Sequence, residues 1–131
     1  MTRILVVEDE PSISDPLAYL LQREGYEVTV VEDGLEAVEE FDRNGADLVL
    51  LDLNLPRLDG REVLAQIKED PELRRIPVVV LTTSEAEEDI LRSYNLHANA
   101  YVTKPVDFER FITVVRKIDD FFVSVVRLPQ H

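Results

Sequence analysis

Four separated stretches carry residues that could do chemistry together: Glu8-Asp9-Glu10, Asp52, Thr82 and Lys104. If the carboxylates share a site, they cannot all stay ionised without compensating charge. Lys104 supplies one positive charge, and a hard divalent cation supplies the rest. Carboxylate, carbonyl and water oxygens are natural ligands for such an ion, and Mg2+, which keeps several of its waters, fits best. An Asp carboxylate beside it can act as nucleophile toward phosphorus and form an acyl phosphate. Charge on the transferred group spreads over its oxygens, where the Lys104 ammonium and the Thr82 hydroxyl are suitable donors.

These residues matter only if the fold brings them together, and the hydrophobic pattern says that it does. Five branched-apolar runs, Ile4–Val7, Val28–Val31, Leu48–Leu51, Val78–Leu81 and Tyr101–Thr103, mostly lack polar alternation. That suits strands buried on both faces of a parallel sheet. Between them lie helical faces: Ile13, Pro16, Leu17, Leu20 and Leu21; Leu35, Val38 and Phe41; Val63, Leu64 and Ile67; Ile90, Leu91 and Tyr94. A fifth, Phe108, Phe111, Ile112, Val115 and Ile118, comes after the last strand. Gly25 and Gly45 fall where left-handed helix ends are expected, and Asp107 stands where the last helix needs an N-cap. The pattern predicts an α/β fold, a doubly wound parallel sheet of five strands with helices on both faces.

In open α/β sheets, ligands bind beyond the carboxyl ends of the strands, at the point where strand order reverses. Glu8 and Asp9 follow the first strand, Asp52 the third, Thr82 ends the fourth, and Lys104 follows the fifth. Each alone has a plainer explanation: a helix cap, a backbone hydrogen bond, a solvated loop lysine. Their joint placement at the correct strand ends is what points to a site. Nucleotide-binding relatives of the fold need glycines or an acid-free helix start after the first strand, and here that loop is Glu8-Asp9-Glu10-Pro11.

Composition narrows the classes. The chain has 131 residues, no cysteine and a net charge of -13, of which -10 falls in residues 1–50. No thiol nucleophile or disulfide framework is available, and phosphate backbones would be repelled, so nucleic-acid binding is excluded as the direct role. The longest apolar runs are strand-sized, which argues against a membrane span, and no leader is legible at the N-terminus; the expected location is cytoplasmic.

At these residues the chain resembles the receiver domains of two-component response regulators, over roughly residues 3–120. The matching stretches are Ile4-Leu5-Val6-Val7-Glu8-Asp9, Asp52-Leu53-Asn54-Leu55-Pro56-Arg57-Leu58-Asp59-Gly60, Leu81-Thr82-Thr83 and Tyr101-Val102-Thr103-Lys104-Pro105. The resemblance implies a flavodoxin-like (βα)5 fold with strand order 2-1-3-4-5. It implies that Asp52 is phosphorylated by a sensor histidine kinase with Mg2+ held by Asp9, by Glu8 through water, by Asp52 and by the Asn54 carbonyl. It further implies that Lys104 pairs with the phosphoryl group, that Thr82 moves to hydrogen-bond it and that Tyr101 swings inward. A cis Lys104–Pro105 bond, with Pro56 and Gly60 shaping the loop, would be structural. On this reading the chain is a signalling switch and not an enzyme acting on outside substrates. The alternatives are a relay passing the phosphoryl group to a histidine phosphotransfer protein, and a scaffold that is never phosphorylated. The acidic pair is Glu-Asp where many members have Asp-Asp, Ser84 lies two residues beyond Thr82, and Asn95-Leu96-His97 ends the fourth helix where members often have Gly.

The expected domain is 1–122, with an apolar extension at 123–131. The stretch Phe121-Phe122-Val123-Ser124-Val125-Val126 is more apolar than the fifth helix requires. It either folds back on its own domain or extends the face built from Ile90–Tyr94, Tyr101–Thr103 and Phe108–Ile118 into a homodimer, the favoured reading. Residues 1–50 resemble receivers of DNA-binding regulators. Residues 51–131, with the insertion Asp70–Arg75, resemble stand-alone phytochrome-partner and archaeal regulators, so a natural mixed member and a chimera are both open.

Overall fold

Branched side chains at the apolar runs form five strands, separated by helices, in a computed structural model that describes residues 2–52, 55, 60–71, 73–82, 100–103 and 107–120. In chain order the elements are β1 (Arg3–Val7), α1 (Pro11–Arg23), β2 (Glu27–Val31), α2 (Gly34–Arg43), β3 (Leu48–Asp52), α3 (Gly60–Glu69), β4 (Val78–Thr82), β5 (Ala100–Thr103) and α4 (Phe108–Ile118). The helix labelled α4 is the fifth helical pattern of the sequence. The fourth pattern, Ile90–Tyr94, lies outside the described residues, as do Ser84, His97 and the extension that starts at 121.

The sheet is wholly parallel with order β2-β1-β3-β4-β5, as expected. Its strands β3 and β4 are buried throughout, whereas β2 at the edge is exposed or half-buried until Val31, which is buried. The order reverses at β1, and that reversal sorts the helices. The chain moves one way from β1 to β2 and the other way from β2 onward, so right-handed crossovers place α1 on one face and α2 and α3 on the other. Leu5, Val7, Val49, Leu51, Val78 and Val80 pack with Ala37, Phe41, Val63, Leu64 and Ile67 on the α2–α3 side. Ile4, Val6, Leu48, Leu50, Val79 and Leu81 pack with Leu17, Leu21, Phe111 and Val115 on the α1–α4 side. Each side chain of this kind, fully buried, contributes roughly 1.5–3 kcal/mol relative to exposure.

The helix ends obey local rules. Gly25 and Gly45 have φ of 94° and 67°, the left-handed conformation that ends α1 and α2 without a Cβ penalty. Asp107 accepts from the Arg110 amide at 3.2 Å and caps α4. Asp33 accepts from the Glu36 amide at 2.9 Å and caps α2, so the acid after the second strand has a structural task. One predicted helical face is corrected: Leu35 at the start of α2 is 42% exposed, and Ala37 with Phe41 forms the buried stripe instead. Residue 35 lies about 200° around the helix from 37, so both cannot face the sheet.

Polar contacts tie the amino edge of the sheet to α4. Asp119, just past α4, accepts from Thr2 Oγ1 at 3.0 Å and from the Tyr26 hydroxyl at 3.3 Å. After α3 the Arg74 amide donates to the Asp70 carbonyl at 2.9 Å. The Asp70 side chain accepts from the Leu73 amide, and Lys68 Nζ donates to the carbonyls of Ile76 at 3.2 Å and Arg74 at 3.4 Å. Burial lowers the Lys68 ammonium below the usual lysine range, and these two carbonyls are what satisfy its donors.

Tyr26 yields a pH prediction. Burial first, then the charge of Asp119 and the hydrogen bond to it, then the charge of Asp120, push the Tyr26 phenol up from 10.0 to about 12. A folded-state value above the unfolded one means the contribution is complete below pH 10.0 and is lost as pH rises through about 12. Tyr26→Phe is expected to lower the urea midpoint at pH 8, with the gap to the parent closing between pH 10.0 and about 12; a gap that is constant with pH would contradict the assignment.

Candidate functional site

Two buried carboxylates form the base of the site, and strand register explains why they meet. β1 and β3 are neighbours with Val7 opposite Leu51, so the next positions along the two strands are Glu8 and Asp52. Both share parity with the residues that face α1 and α4, Ile4 and Val6 on one strand and Leu48 and Leu50 on the other. The Glu8 amide donates to the Val31 carbonyl at 3.0 Å, which carries the β1–β2 ladder one residue past the strand. Glu8 is 0% and Asp52 1% exposed, whereas Asp9 beside them is exposed.

One carboxylate oxygen from each of Glu8, Asp9 and Asp52 lies within 4.8 Å of the others. Two like charges at that separation repel by about 3 kcal/mol at an effective dielectric of about 20. A single hard cation bound by all three would turn that repulsion into coordination, and the all-oxygen donor set is the one such ions take. The acidic cluster fits a divalent metal. Glu10 does not join it: it is the exposed N-cap residue of α1, whose first residue is Pro11. The positive end of the α1 dipole nevertheless starts immediately beyond the acids, where it favours negative charge.

Thr82 ends β4 and is 0% exposed. With Asp52 opposite Leu81, it stands one register position further along the neighbouring strand. Tyr101 on β5 is opposite Val80, half-buried, and packed against the α2–α3 side of the core. Alternation puts Thr82 and Tyr101 on the same face of adjacent strands, two positions apart. Gly60 is the buried first residue of α3. Asn54, Pro56, Lys104 and Pro105, with the Lys104–Pro105 bond, lie outside the described residues. Sequence reasoning missed two polar residues with specific tasks, Lys68 and Asp119. Lys68 had no local signal, and the partners of Asp119 are 93 and 117 positions away.

Comparison with known proteins agrees with this geometry. The response regulator receiver domain matches residues 4–116. The chain is 43% identical to response regulator Rcp1 of Synechocystis, over 96% of this chain and 92% of that protein. It is 46% identical to the sensory transduction protein RegX3 of Mycobacterium tuberculosis over 90% of this chain, spanning 51% of RegX3. Both alignments run across residue 50. Among solved structures, the phosphorylated cyanobacterial phytochrome response regulator RcpA superposes with a TM-score of 0.77 at 43% identity, covering 94% of each chain. The Mn(2+)-bound form of Rcp1 superposes with a TM-score of 0.76 at 41% identity, covering 95% of this chain and 96% of that one.

The carboxylate cluster can be tested by titrating Mg2+ or Mn2+ into the protein by calorimetry. Asp9→Asn is expected to weaken binding by about tenfold or more, ~1.4 kcal/mol. Asp33→Asn, whose carboxylate caps α2, is expected to leave it unchanged. Equal losses in the two variants would mean that general acidity, and not this site, holds the ion.

Proposed function

The chain belongs to the response regulator receiver family of two-component signalling, and we propose that Asp52 is the residue through which it accepts a phosphoryl group from a sensor histidine kinase. The observation that carries this reading is the buried Asp52 carboxylate within 4.8 Å of Glu8 and Asp9 at the point where strand order reverses.

In the proposed reaction an Asp52 carboxylate oxygen attacks phosphorus. The new O–P bond forms as the bond from phosphorus to the donor's imidazole nitrogen breaks, and the electron pair leaves with that nitrogen. Asp9, Asp52 and the Asn54 carbonyl, with Glu8 through water, would hold Mg2+, which when bound would supply positive charge to the phosphoryl oxygens. Burial of Glu8 and Asp52 keeps the carboxylates fixed, so little reorganisation is needed as charge develops. Lys104 is assigned to pair with the phosphoryl oxygens, and Thr82 to donate its hydroxyl to them. Tyr101, two positions from Thr82 on the same face, is assigned the readout: movement of Thr82 opens space into which the ring turns. Pro56, Gly60 and a cis Lys104–Pro105 bond are assigned to shape the loops around Asp52. The kinase would dock at the start of α1, near Pro11 and Ile13.

The protein is proposed to act in the cytoplasm as a switch and not as an enzyme on outside substrates. No described helix is long and apolar enough to cross a membrane. The relay alternative is not favoured, because Rcp1 and RcpA, matched over nearly their full lengths, are response regulators. The proposed partner surface for a second copy is the face of Ile90–Tyr94, β5 and α4, on which Tyr101 would report the state of Asp52.

Incubation with Mg2+ and acetyl phosphate is expected to add one phosphoryl mass to the intact protein, and Asp52→Asn is expected to abolish it. Equal labelling of the variant would remove Asp52 from its role. Beryllofluoride with Mg2+ is expected to double the mass in sedimentation; an unchanged mass would remove the dimer and leave the phosphoacceptor untouched.

A further inference from the structure

An apolar groove runs between α1 and α4, away from the carboxylates, with a volume of about 290 Å³. Leu20 lines it from α1, and Phe108 and Ile112 line it from α4, where a spacing of four residues puts them on one stripe. Its lower end is closed by the ion pair between Glu24, at the end of α1, and Arg116 of α4. Its upper rim carries the exposed carboxylate of Glu109.

The chain leaves α4 at the lower mouth of this groove, and it is fixed there. Asp119 is bonded to Thr2 and to Tyr26, three residues beyond the end of α1. From that point the chain continues as residues 121–131, with six large apolar side chains, Phe121, Phe122, Val123, Val125, Val126 and Leu128, and one strongly basic one, Arg127. We propose that this segment turns back and lies in the α1–α4 groove of its own chain, with its apolar residues on Leu20, Phe108 and Ile112 and with Arg127 beside Glu109.

Length, charge and tethering support this one occupant. Along α4, Glu109 stands about 16 Å above Asp120 at about 1.5 Å per residue. An extended chain climbs that distance in about five residues. With about two more for the reversal, Arg127 arrives level with Glu109, and the one guanidinium of the segment meets the carboxylate of the rim. A segment anchored at the mouth of the groove is present there at roughly millimolar effective concentration, which a second copy reaches only at millimolar protein. The assignment moves the segment off the dimer face, where the sequence alone placed it, and leaves β5 and the outer side of α4 open to a partner.

The chain has no cysteine, so an introduced pair is unique. Thr113 lines the groove and is exposed, which makes it a substitution the fold tolerates. Thr113→Cys combined with Ser124→Cys or with Val126→Cys, in the full chain and in a glutathione redox buffer, is expected to form a disulfide within one chain. The readout is a mass lower by two hydrogens and a monomer on non-reducing electrophoresis, for at least one of the two pairs. A disulfide only between chains would give the groove to a second copy and overturn the proposal. No disulfide from either pair would overturn it as well. Glu109→Arg is expected to reduce the intrachain disulfide about tenfold, and Glu109→Arg with Arg127→Glu to restore it; failure of restoration would remove the Arg127–Glu109 contact. These readouts do not depend on Asp52 labelling, so they fail or succeed independently of the phosphoacceptor reading.

Discussion

Glu8 and Asp52 are both buried carboxylic side chains and sit at equivalent positions on adjacent strands. Taking a carboxylate out of water costs several kcal/mol unless something compensates, and bringing two together adds repulsion. A hydrophobic core alone does not produce such an arrangement, and a divalent cation is one source of compensating charge for it. The exposed Asp9 completes a three-oxygen opening toward solvent through which a hydrated cation can enter, and the start of α1 adds its dipole from behind. The site is thus a demand for charge built into the end of the sheet.

Parallel strand geometry meets the positional side of this demand at little cost. Register between β1 and β3 places Glu8 level with Asp52, and the alternation of side chains sends both toward the α1–α4 face. The same alternation sends Thr82 and Tyr101 to the opposite face, where Tyr101 packs on the α2–α3 side of the core. Glu8 and Asp52 therefore share one face of the sheet, and Thr82 and Tyr101 the other. The reversal of strand order at β1 leaves the crevice between β1 and β3 uncovered, because the crossovers leave in opposite directions there.

The amino edge of the sheet has the contrary character. There the polar groups are satisfied by fixed partners: Asp119 by Thr2 and Tyr26, Asp47 by the Arg3 amide at 2.9 Å, and Arg3 by Glu27 and the Asn44 carbonyl. These contacts hold the end of α4 while its beginning, at Asp107, lies close in sequence to Lys104.

Much of the protein was legible from the order of residues along the chain. The five apolar runs, the two left-handed glycines, the Asp107 cap and the rule that ligands sit at strand ends were enough to name the fold, the strand order implied by the family resemblance, and Asp52 with Glu8 and Asp9. Periodicity and turn chemistry are local, so they can be read without coordinates. Leu35 was misplaced because α2 is short and one apolar residue can fall on either flank of its stripe; packing of Ala37 and Phe41 against the sheet settled the phase. The tasks of Lys68 and Asp119 were not legible, since their partners are set by how a turn closes and by which strand ends meet the last helix. Which of these carboxylates are buried, Glu8 and Asp52, and which is exposed, Asp9, was likewise decided only in three dimensions. Register fixes which side chains are level with each other, and register is a property of paired strands that no single strand contains.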